Sequence, residues 1–204
     1  MTVPDENYKM NNCAAIILAA GKSSRLGQPK QLLQYQNKIL LQHAIDVAKQ
    51  SEIKQVIVVL GSGYESIIAA IDLSGIHVVK NDRWQTGIAS SINCGINALR
   101  EISPTSEAAI LMVSDQPYIT PSLLNSLISE QLENGKPIVA CEYDNTIGIP
   151  AIFHKSIFDQ LTELKGDTGA KKIIKQYSDV VSTVSFLMGG IDIDTLDDYE
   201  TLIK

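Results

Sequence analysis

Short, almost wholly apolar runs alternate with amphipathic stretches along most of the chain, and this alternation limits the folds open to it. The runs show little polar alternation, which is typical of strands buried on both faces of a parallel sheet. They lie at Ala14–Ala20, Gln55–Leu60, Ile76–Lys80, Ala108–Ser114, Ile138–Cys141 and Ile149–Phe153. Helical periodicity predicts helices over Leu40–Gln50, Tyr64–Ile71, Ile88–Ile102, Pro121–Leu132, Lys155–Leu164, Gly169–Tyr177 and Thr195–Ile203. This order predicts an α/β fold, a Rossmann-like doubly wound sheet in three α/β/α layers.

One part of the chain departs from the alternation. The runs Ile138–Cys141 and Ile149–Phe153 are separated by seven residues, too few for the crossover that joins parallel strands. We therefore expect a local antiparallel pair, and a mostly parallel, mixed sheet overall. Earlier in the chain, Pro121 suits the first turn of a helix, and Thr120 before it is predicted to be the N-cap.

The charge of the chain separates two classes of partner. The formal net charge is −6, which argues against nucleic acid as a partner, because binding it requires a basic surface. A small anionic substrate is not excluded, because the charge is unevenly distributed. Residues 1–54 contain seven Lys/Arg against four Asp/Glu, whereas residues 55–204 contain ten against nineteen.

Length and cysteine content bound the organisation of the protein. A chain of 204 residues has the size of one domain. We expect residues 1–12, which are polar, to form a flexible N-terminus rather than a signal peptide. Cys13, Cys94 and Cys141 include no CxxC pair, which favours a reducing, cytoplasmic location over a disulfide framework or a zinc site. No uncharged apolar run reaches the length of a membrane span, so we expect no membrane partner.

The strongest functional signal is the loop after the first predicted strand. It reads Leu18-Ala19-Ala20-Gly21-Lys22-Ser23-Ser24-Arg25-Leu26-Gly27-Gln28-Pro29-Lys30. Ligands of open α/β sheets bind beyond the carboxyl ends of the strands. Small residues let backbone N–H groups approach a phosphate chain, and the cations Lys22, Arg25 and Lys30 can neutralise it. A solvated basic turn is the alternative, but three cations at these offsets favour phosphate binding.

Six segments, taken in order, resemble the motifs of one enzyme family. The first loop resembles LAAGxSxRxGxxK, Asn81–Gly95 resembles NxxWxxGxxxSxxxG, Ser114–Pro117 contains DQP, Gly148–Phe153 resembles GxPxxF, Gly166–Lys171 resembles GDxGAR, and Asp192–Thr195 reads DIDT. The family is that of the MobA-like NTP transferases, which includes molybdenum cofactor cytidylyltransferases and guanylyltransferases. The resemblance covers about residues 13–203 and implies a nucleotidyltransferase domain over residues 13–204. Lys171 stands where the family usually has Arg, and it keeps the charge but not the bidentate fork.

The resemblance implies a role for the residues of each motif. It implies catalytic roles for Arg25, Lys30 and Asp115. It implies nucleotide binding by Leu18, Ala19, Ala20, Gly21, Lys22, Ser23, Arg25, Lys30, Gly87 and Ser91. It implies binding of the acceptor substrate by Gly148, Pro150, Gly166, Asp167, Gly169 and Lys171.

Two aspartates are candidate ligands of magnesium, or of manganese in its place. Asp115 closes a buried strand and should lie at the same sheet edge as the first loop, although it could instead cap a turn before Pro117. Magnesium prefers one or two carboxylates together with phosphate oxygens and water. The resemblance implies that Asp194 is the second ligand, whereas its position also suits the cap of the last helix.

The resemblance implies transfer of CMP from CTP to the terminal phosphate of molybdopterin, with magnesium and with release of pyrophosphate. Such an acceptor needs no strong general base, because the second pKa of a phosphate monoester is about 6. Alternatives stay open: guanylyl transfer to the same acceptor, transfer to a sugar phosphate, a non-catalytic molybdopterin carrier or chaperone, and a nucleotide-sugar glycosyltransferase. A molybdoenzyme or its chaperone is the expected recipient of the product.

The preference for cytosine is predicted from Ala19 and Ala20. The cytidylyl branch of the family resembles LAAG, whereas the guanylyl branch more often reads LAGG. A second glycine would leave more room for a purine, and the methyl group of Ala20 removes some of that room.

Overall fold

The computed structural model of the protein describes residues 12–23 and 26–203, so the predicted N-terminal segment lies almost wholly outside it. The strands are β1 (Cys13–Ala19), β2 (Gln34–Tyr35), β3 (Lys38–Ile39), β4 (Gln55–Leu60), β5 (His77–Lys80), β6 (Ala108–Val113), β7 (Ile138–Tyr143), β8 (Thr146–His154) and β9 (Val181–Ser185). The α-helices are α1 (Leu40–Lys49), α2 (Tyr64–Ile68), α3 (Ile88–Ile102), α4 (Pro121–Asn134), α5 (Phe158–Thr162), α6 (Lys171–Gln176) and α7 (Leu196–Leu202). Short 3-10 turns cover Lys30–Leu32, Trp84–Thr86, Lys155–Ile157 and Ser178–Val180.

Seven strands form one sheet in the order β5-β4-β1-β6-β8-β7-β9. β1 is parallel to β4 and β6, β4 is parallel to β5, and β7 is parallel to β9. β8 runs antiparallel to both of its neighbours, β6 and β7. The sheet is therefore mixed and mostly parallel, which confirms the predicted α/β fold.

Helices cover both faces of the sheet because its central strands are apolar on both sides. All seven residues of β1 are buried. On one face lie α1, α2 and α4, with Leu41 and Leu127 in the core. On the other lie α3, α5 and α6, with Ile92 and Ile173. None of the helices in the described part of the chain combines the length and the apolar character needed to cross a membrane.

The antiparallel pair predicted near the middle of the chain is confirmed as the β7–β8 hairpin. Its turn residues, Asp144 and Asn145, have φ values of 49° and 56°, a conformation that these two residue types tolerate better than most. Sequence reasoning missed β9, because Val-Ser-Thr-Val-Ser is polar at alternate positions and only partly covered at the edge of the sheet. The helix predicted over Lys155–Leu164 is instead a 3-10 turn followed by the short helix α5.

Side-chain caps fix the start of two helices. Thr120 Oγ1 accepts a hydrogen bond from the N–H of Leu123 at 3.2 Å, and this confirms the predicted N-cap of α4. α7 begins with a capping box in which Thr195 and Asp198 bond reciprocally. The cap of the last helix is therefore Thr195 and not Asp194, whose side chain points to other partners.

α3 lies unusually close to the sheet at Gly95. A Cβ atom at this position would stand 2.5 Å from Cγ2 of Ile16 and 3.1 Å from Cγ2 of Val59. Both of these side chains are fully buried. The absence of a side chain at Gly95 therefore sets the distance between α3 and the strands β1 and β4.

We expect Gly95→Ala to lower the free energy of unfolding by about 1–3 kcal/mol, the usual cost of overpacking a core. In a helix without such a contact, a change from Gly to Ala would instead raise the free energy of unfolding by about 1 kcal/mol. The sign of the measured change therefore shows whether Gly95 is in close contact with the sheet. Urea denaturation measures it, with Glu101→Ala at an exposed position of the same helix as the control. A Gly95→Ala protein as stable as the wild type would contradict the close packing.

Candidate active site

A cleft of about 360 Å³ opens at the sheet edge where β1 and β6 end. Parallel strands bring their carboxyl ends to one edge, and ligands of open α/β sheets bind there. The cleft is lined by Leu18, Ala19, Ala20, Gly21, Lys22, Lys30, Gln31, Trp84, Gln85, Gly87, Ile88, Ser91, Val113, Ser114, Asp115 and Asp167. The structure thus brings together residues from the first loop, the start of α3, the end of β6 and the loop before α6.

The first loop is held in shape by its own side chains. Ser23 Oγ accepts a hydrogen bond from the N–H of Lys30 at 2.8 Å, and this contact closes the loop. Gln31 Nε2 donates to the carbonyl oxygens of Ala19, at 2.7 Å, and Gly21, at 3.3 Å. Both contacts leave the exposed Gly21 and Lys22 facing the cleft. Arg25, predicted to be catalytic, lies outside the described residues.

Lys30 joins two carboxylates that are far apart in the sequence. Its ammonium nitrogen forms an ion pair with Asp115 Oδ2 and lies 3.0 Å from Asp194 Oδ1. Burial disfavours the charged form of Lys30, but the two carboxylates outweigh burial and raise its pKa above the usual value. The N–H of Ile193 donates to the carbonyl of Asp115 at 3.1 Å, which fixes the segment carrying Asp194 against the end of β6.

Asp115 has one carboxylate oxygen that its neighbours leave unsatisfied. The residue is 8% exposed, and among the described residues its buried Oδ1 has no hydrogen-bond partner. Leaving such an atom without a partner is costly unless a ligand completes it. The same part of the chain contains no group of three His, Cys, Asp or Glu side chains placed to hold a metal. Asp115 and Asp194 therefore fit a hard divalent cation whose remaining ligands are phosphate oxygens and water.

The far wall of the cleft is the start of α3. Asn81 Nδ2 donates to Ser90 Oγ at 2.8 Å and to Ser91 Oγ at 3.0 Å. Ser90 donates its own hydroxyl proton to the carbonyl oxygens of Gly87, at 2.8 Å, and Arg83, at 3.0 Å. Ser91 accepts from Asn81 and keeps a proton that it can donate, and it faces the cleft. Trp84 packs over Gly61, where a Cβ would stand 2.6 Å from Trp84 Cβ. The tryptophan is thus a wall of the cleft as well as a neighbour of the core.

Gly87 allows the loop before α6 to reach the cleft. Its φ is 105°, and a Cβ there would stand 2.3 Å from the carbonyl of Gly166 and 2.6 Å from Asp167 Oδ1. The carbonyl of Gly166 accepts from the N–H of Ala89 at 3.1 Å, in the first turn of α3. Two segments predicted to bind different substrates, Gly87 and Gly166–Asp167, are therefore in direct contact.

The other residues predicted to bind the acceptor lie outside the cleft wall. Gly148 and Pro150 belong to β8, beside the end of β6, and Gln116 Nε2 approaches the intervening carbonyl of Ile149 at 3.5 Å. Gly169 and Lys171 lie at the start of α6, where Lys171 is exposed. Gly169 lies beside Ile88, at the start of α3, and none of these four residues lines the cleft.

The sequence left open whether Trp84 is a wall of the pocket or part of the core, and the structure shows both contacts. Sequence reasoning missed Gln31, Gln85, Ile88, Val113 and Ser114 as wall residues. Gln31 is the most informative of them, because its amide is buried and determines the shape of the first loop. A polar residue directly after Lys30, which is predicted to be catalytic, is a weak signal. Only the structure shows that Gln31 turns inward.

The family model that matches this chain is that of the MobA-like NTP transferase domain, over residues 15–180. The bifunctional protein GlmU of Desulfitobacterium hafniense is 31% identical over 82% of this chain. This chain spans only 37% of the length of that relative. The 2-C-methyl-D-erythritol 4-phosphate cytidylyltransferase of Alkaliphilus metalliredigens is 30% identical over 65% of this chain and 56% of that enzyme.

Two further similarities cover nearly the whole chain. Nicotine blue oxidoreductase of Paenarthrobacter nicotinovorans is 26% identical over 92% of this chain and 95% of that protein. The crystal structure of Rv0371c from Mycobacterium tuberculosis, in complex with manganese, has a TM-score of 0.76. It is 31% identical over 94% of this chain and 97% of that chain.

We expect Gly21→Ala to leave the melting temperature unchanged but to weaken the binding of a nucleoside triphosphate about tenfold, or 1.4 kcal/mol. A Cβ at Gly21 would meet no described atom within 4 Å, so the free protein tolerates it, whereas it would occupy the space through which phosphates approach the backbone. Calorimetric titration measures the affinity. Gly169→Ala, whose Cβ would make an ordinary 3.8 Å contact with Ile88, is the control. Unchanged affinity in Gly21→Ala would argue against phosphate binding at this loop.

Proposed function

The chain belongs to the family of MobA-like NTP transferase domains, and on that premise we propose that it is a nucleotidyltransferase that moves CMP from CTP to the terminal phosphate of molybdopterin. Pyrophosphate is the other product. The observation that carries the proposal is the meeting of Lys30, Asp115 and Asp194 beside a loop of small residues in one cleft. This set of groups suits phosphoryl chemistry, in which positioning and charge stabilisation do most of the work.

In the proposed reaction the first loop holds the triphosphate. The backbone around Gly21 is open to the cleft, and Lys22 and Lys30 line it with positive charge. Arg25 is proposed to add a third cation, by its position in the family motif. Together these groups would neutralise the charge that develops on the leaving pyrophosphate.

Asp115 and Asp194 would hold magnesium or manganese, and the bound metal would supply positive charge to stabilise the charge that develops on the phosphates. The unsatisfied Oδ1 of Asp115 supports this assignment, as does the manganese in the complex of the related Rv0371c. Ser91 and Gly87 would contact the nucleoside, since both line the cleft.

The acceptor is proposed to enter beside Asp115 and Asp167. A phosphate monoester is largely dianionic at neutral pH, because its second pKa is about 6. Alignment with the α-phosphate is then the main requirement, and no basic side chain is needed to activate it. Gly148, Pro150, Gly166, Gly169 and Lys171 are the proposed acceptor residues.

The alternative functions differ from this proposal mainly in the substrate that accepts the nucleotide. The similarity to a 2-C-methyl-D-erythritol 4-phosphate cytidylyltransferase supports nucleotidyl transfer, and it leaves another phosphate, such as a sugar phosphate, as the second candidate acceptor. The relative nicotine blue oxidoreductase is named for a redox activity, so redox chemistry is an alternative function for this chain. Two further alternatives are guanylyl transfer to molybdopterin and a non-catalytic carrier that passes molybdopterin to a molybdoenzyme.

We expect CTP with magnesium to raise the melting temperature more than GTP with magnesium, because the Ala20 methyl group narrows the base site. Differential scanning fluorimetry of the wild type and of Ala20→Gly measures the preference. The variant should reduce the difference between the two nucleotides. A larger shift with GTP in the wild type would overturn the assignment of cytosine.

We expect Asp115→Asn to slow pyrophosphate release from CTP and molybdopterin by about 100-fold or more, the usual effect of removing one group that stabilises the transition state. A coupled pyrophosphate assay measures the rate. Asp197→Asn, at an exposed position on α7, is the matched control. Equal rates in Asp115→Asn and in the wild type would mean that the activity does not depend on this site, and release with sugar phosphates alone would identify another acceptor.

A further inference from the structure

We propose that Lys30 is an internal cation that occupies the carboxylate pair of Asp115 and Asp194 until a triphosphate draws it away, so that the divalent metal binds tightly only together with the nucleotide. This inference rests on the proposed function, because it assumes that the two carboxylates are metal ligands. It goes beyond that function by making tight metal binding depend on the presence of the nucleotide.

The contacts of Lys30 occupy one oxygen of Asp115 and one oxygen of Asp194. Its ammonium group forms an ion pair with Asp115 Oδ2 and lies 3.0 Å from Asp194 Oδ1, whereas Asp115 Oδ1 has no hydrogen-bond partner among the described residues. A divalent cation bound to Asp115 Oδ1 and to the carboxylate of Asp194 would stand within a few ångströms of the ammonium group, because the two oxygens of a carboxylate are bonded to the same carbon. Like charges at that distance repel strongly where water is scarce, and the Lys30 side chain is only 20% exposed. Lys30 and the metal are therefore competitors for the pair.

The side chain of Lys30 can leave the pair without disturbing the loop. Its backbone is fixed by the hydrogen bond from its N–H to Ser23 Oγ and by the 3-10 turn that begins with it. Beyond this anchor, four methylene groups give the ammonium group free rotation. Lys30 also lines the cleft next to Gly21 and Lys22, where the phosphates are proposed to lie. A rotation of the side chain thus exchanges carboxylate partners for phosphate partners.

The exchange couples the two ligands. A triphosphate that attracts Lys30 exposes the carboxylates to the metal, and a metal on the carboxylates releases Lys30 to the triphosphate. Such coupling is reciprocal by thermodynamic necessity, with typical factors of about 5–150-fold. In the free protein one ammonium group compensates part of the charge of the two carboxylates, and the nucleotide and the metal bind as a pair.

The test is the affinity of nucleotide-free protein for Mn²⁺, measured by the electron paramagnetic resonance signal of the free ion. We expect Lys30→Met to bind Mn²⁺ about tenfold more tightly than the wild type, within the range typical of coupled sites. Lys30→Arg keeps the charge and should bind Mn²⁺ as weakly as the wild type. Lys22→Met removes a cation of the same cleft that forms no ion pair with the described residues, and it should not tighten Mn²⁺ binding.

Equal or weaker Mn²⁺ binding by Lys30→Met would overturn the proposal. A second measurement does not depend on a variant: in a crystal structure of the wild type with Mn²⁺ and a non-transferable CTP analogue, Lys30 Nζ should lie more than 4 Å from Asp115 Oδ2. An intact ion pair beside bound Mn²⁺ would overturn the proposal. Neither measurement requires turnover or an acceptor, so a failure of the proposed transfer reaction would leave these results to stand on their own.

Discussion

Complete burial of the central strand is the constraint from which the rest of the structure follows. All seven residues of β1 are buried, so both faces of the sheet must be covered by helices, and its neighbours β4 and β6 are parallel to it. Polar chemistry is excluded from this interior and can appear only where the strands end. The cleft lies at that edge, because there the backbone leaves the sheet with its carbonyl and N–H groups exposed.

The sequence was sufficient to predict this layout because burial leaves a strong local pattern. The strand at Gln55–Leu60 and the helix at Ile88–Ile102 have the predicted bounds in the structure, since most of their apolar residues face a core. β9 was missed because an edge strand with one covered face has a weaker pattern. The two-residue strands β2 and β3 are too short to have a pattern at all.

Three charged residues of the candidate site could be predicted from the sequence, but the ion pairs between them could not. Motif resemblance identified Lys30, Asp115 and Asp194, yet the ion pairs between them join positions 85 and 164 residues apart. No spacing rule predicts such contacts, because they depend on where β6 ends and on how the last segment bonds to it through Ile193. These ion pairs join the two differently charged parts of the sequence. Lys30 belongs to the basic residues 1–54, and Asp115 and Asp194 belong to the acidic residues 55–204.

The reversed direction of β8 has a consequence for how a fold of this kind can diversify. The parallel strands have their carboxyl ends at the edge of the sheet where the cleft lies. β8 runs in the opposite direction, so its first residues lie at that edge, and so does the turn at Asp144–Asn145. A hairpin can be lengthened or shortened at its turn without shifting the register of the strands behind it. A change in the length of this turn, in the half of the sheet that holds β7 and β8, therefore does not move the half that holds β1 and β4. One half can keep a fixed ligand while the other is remodelled, residue by residue, to fit a different one.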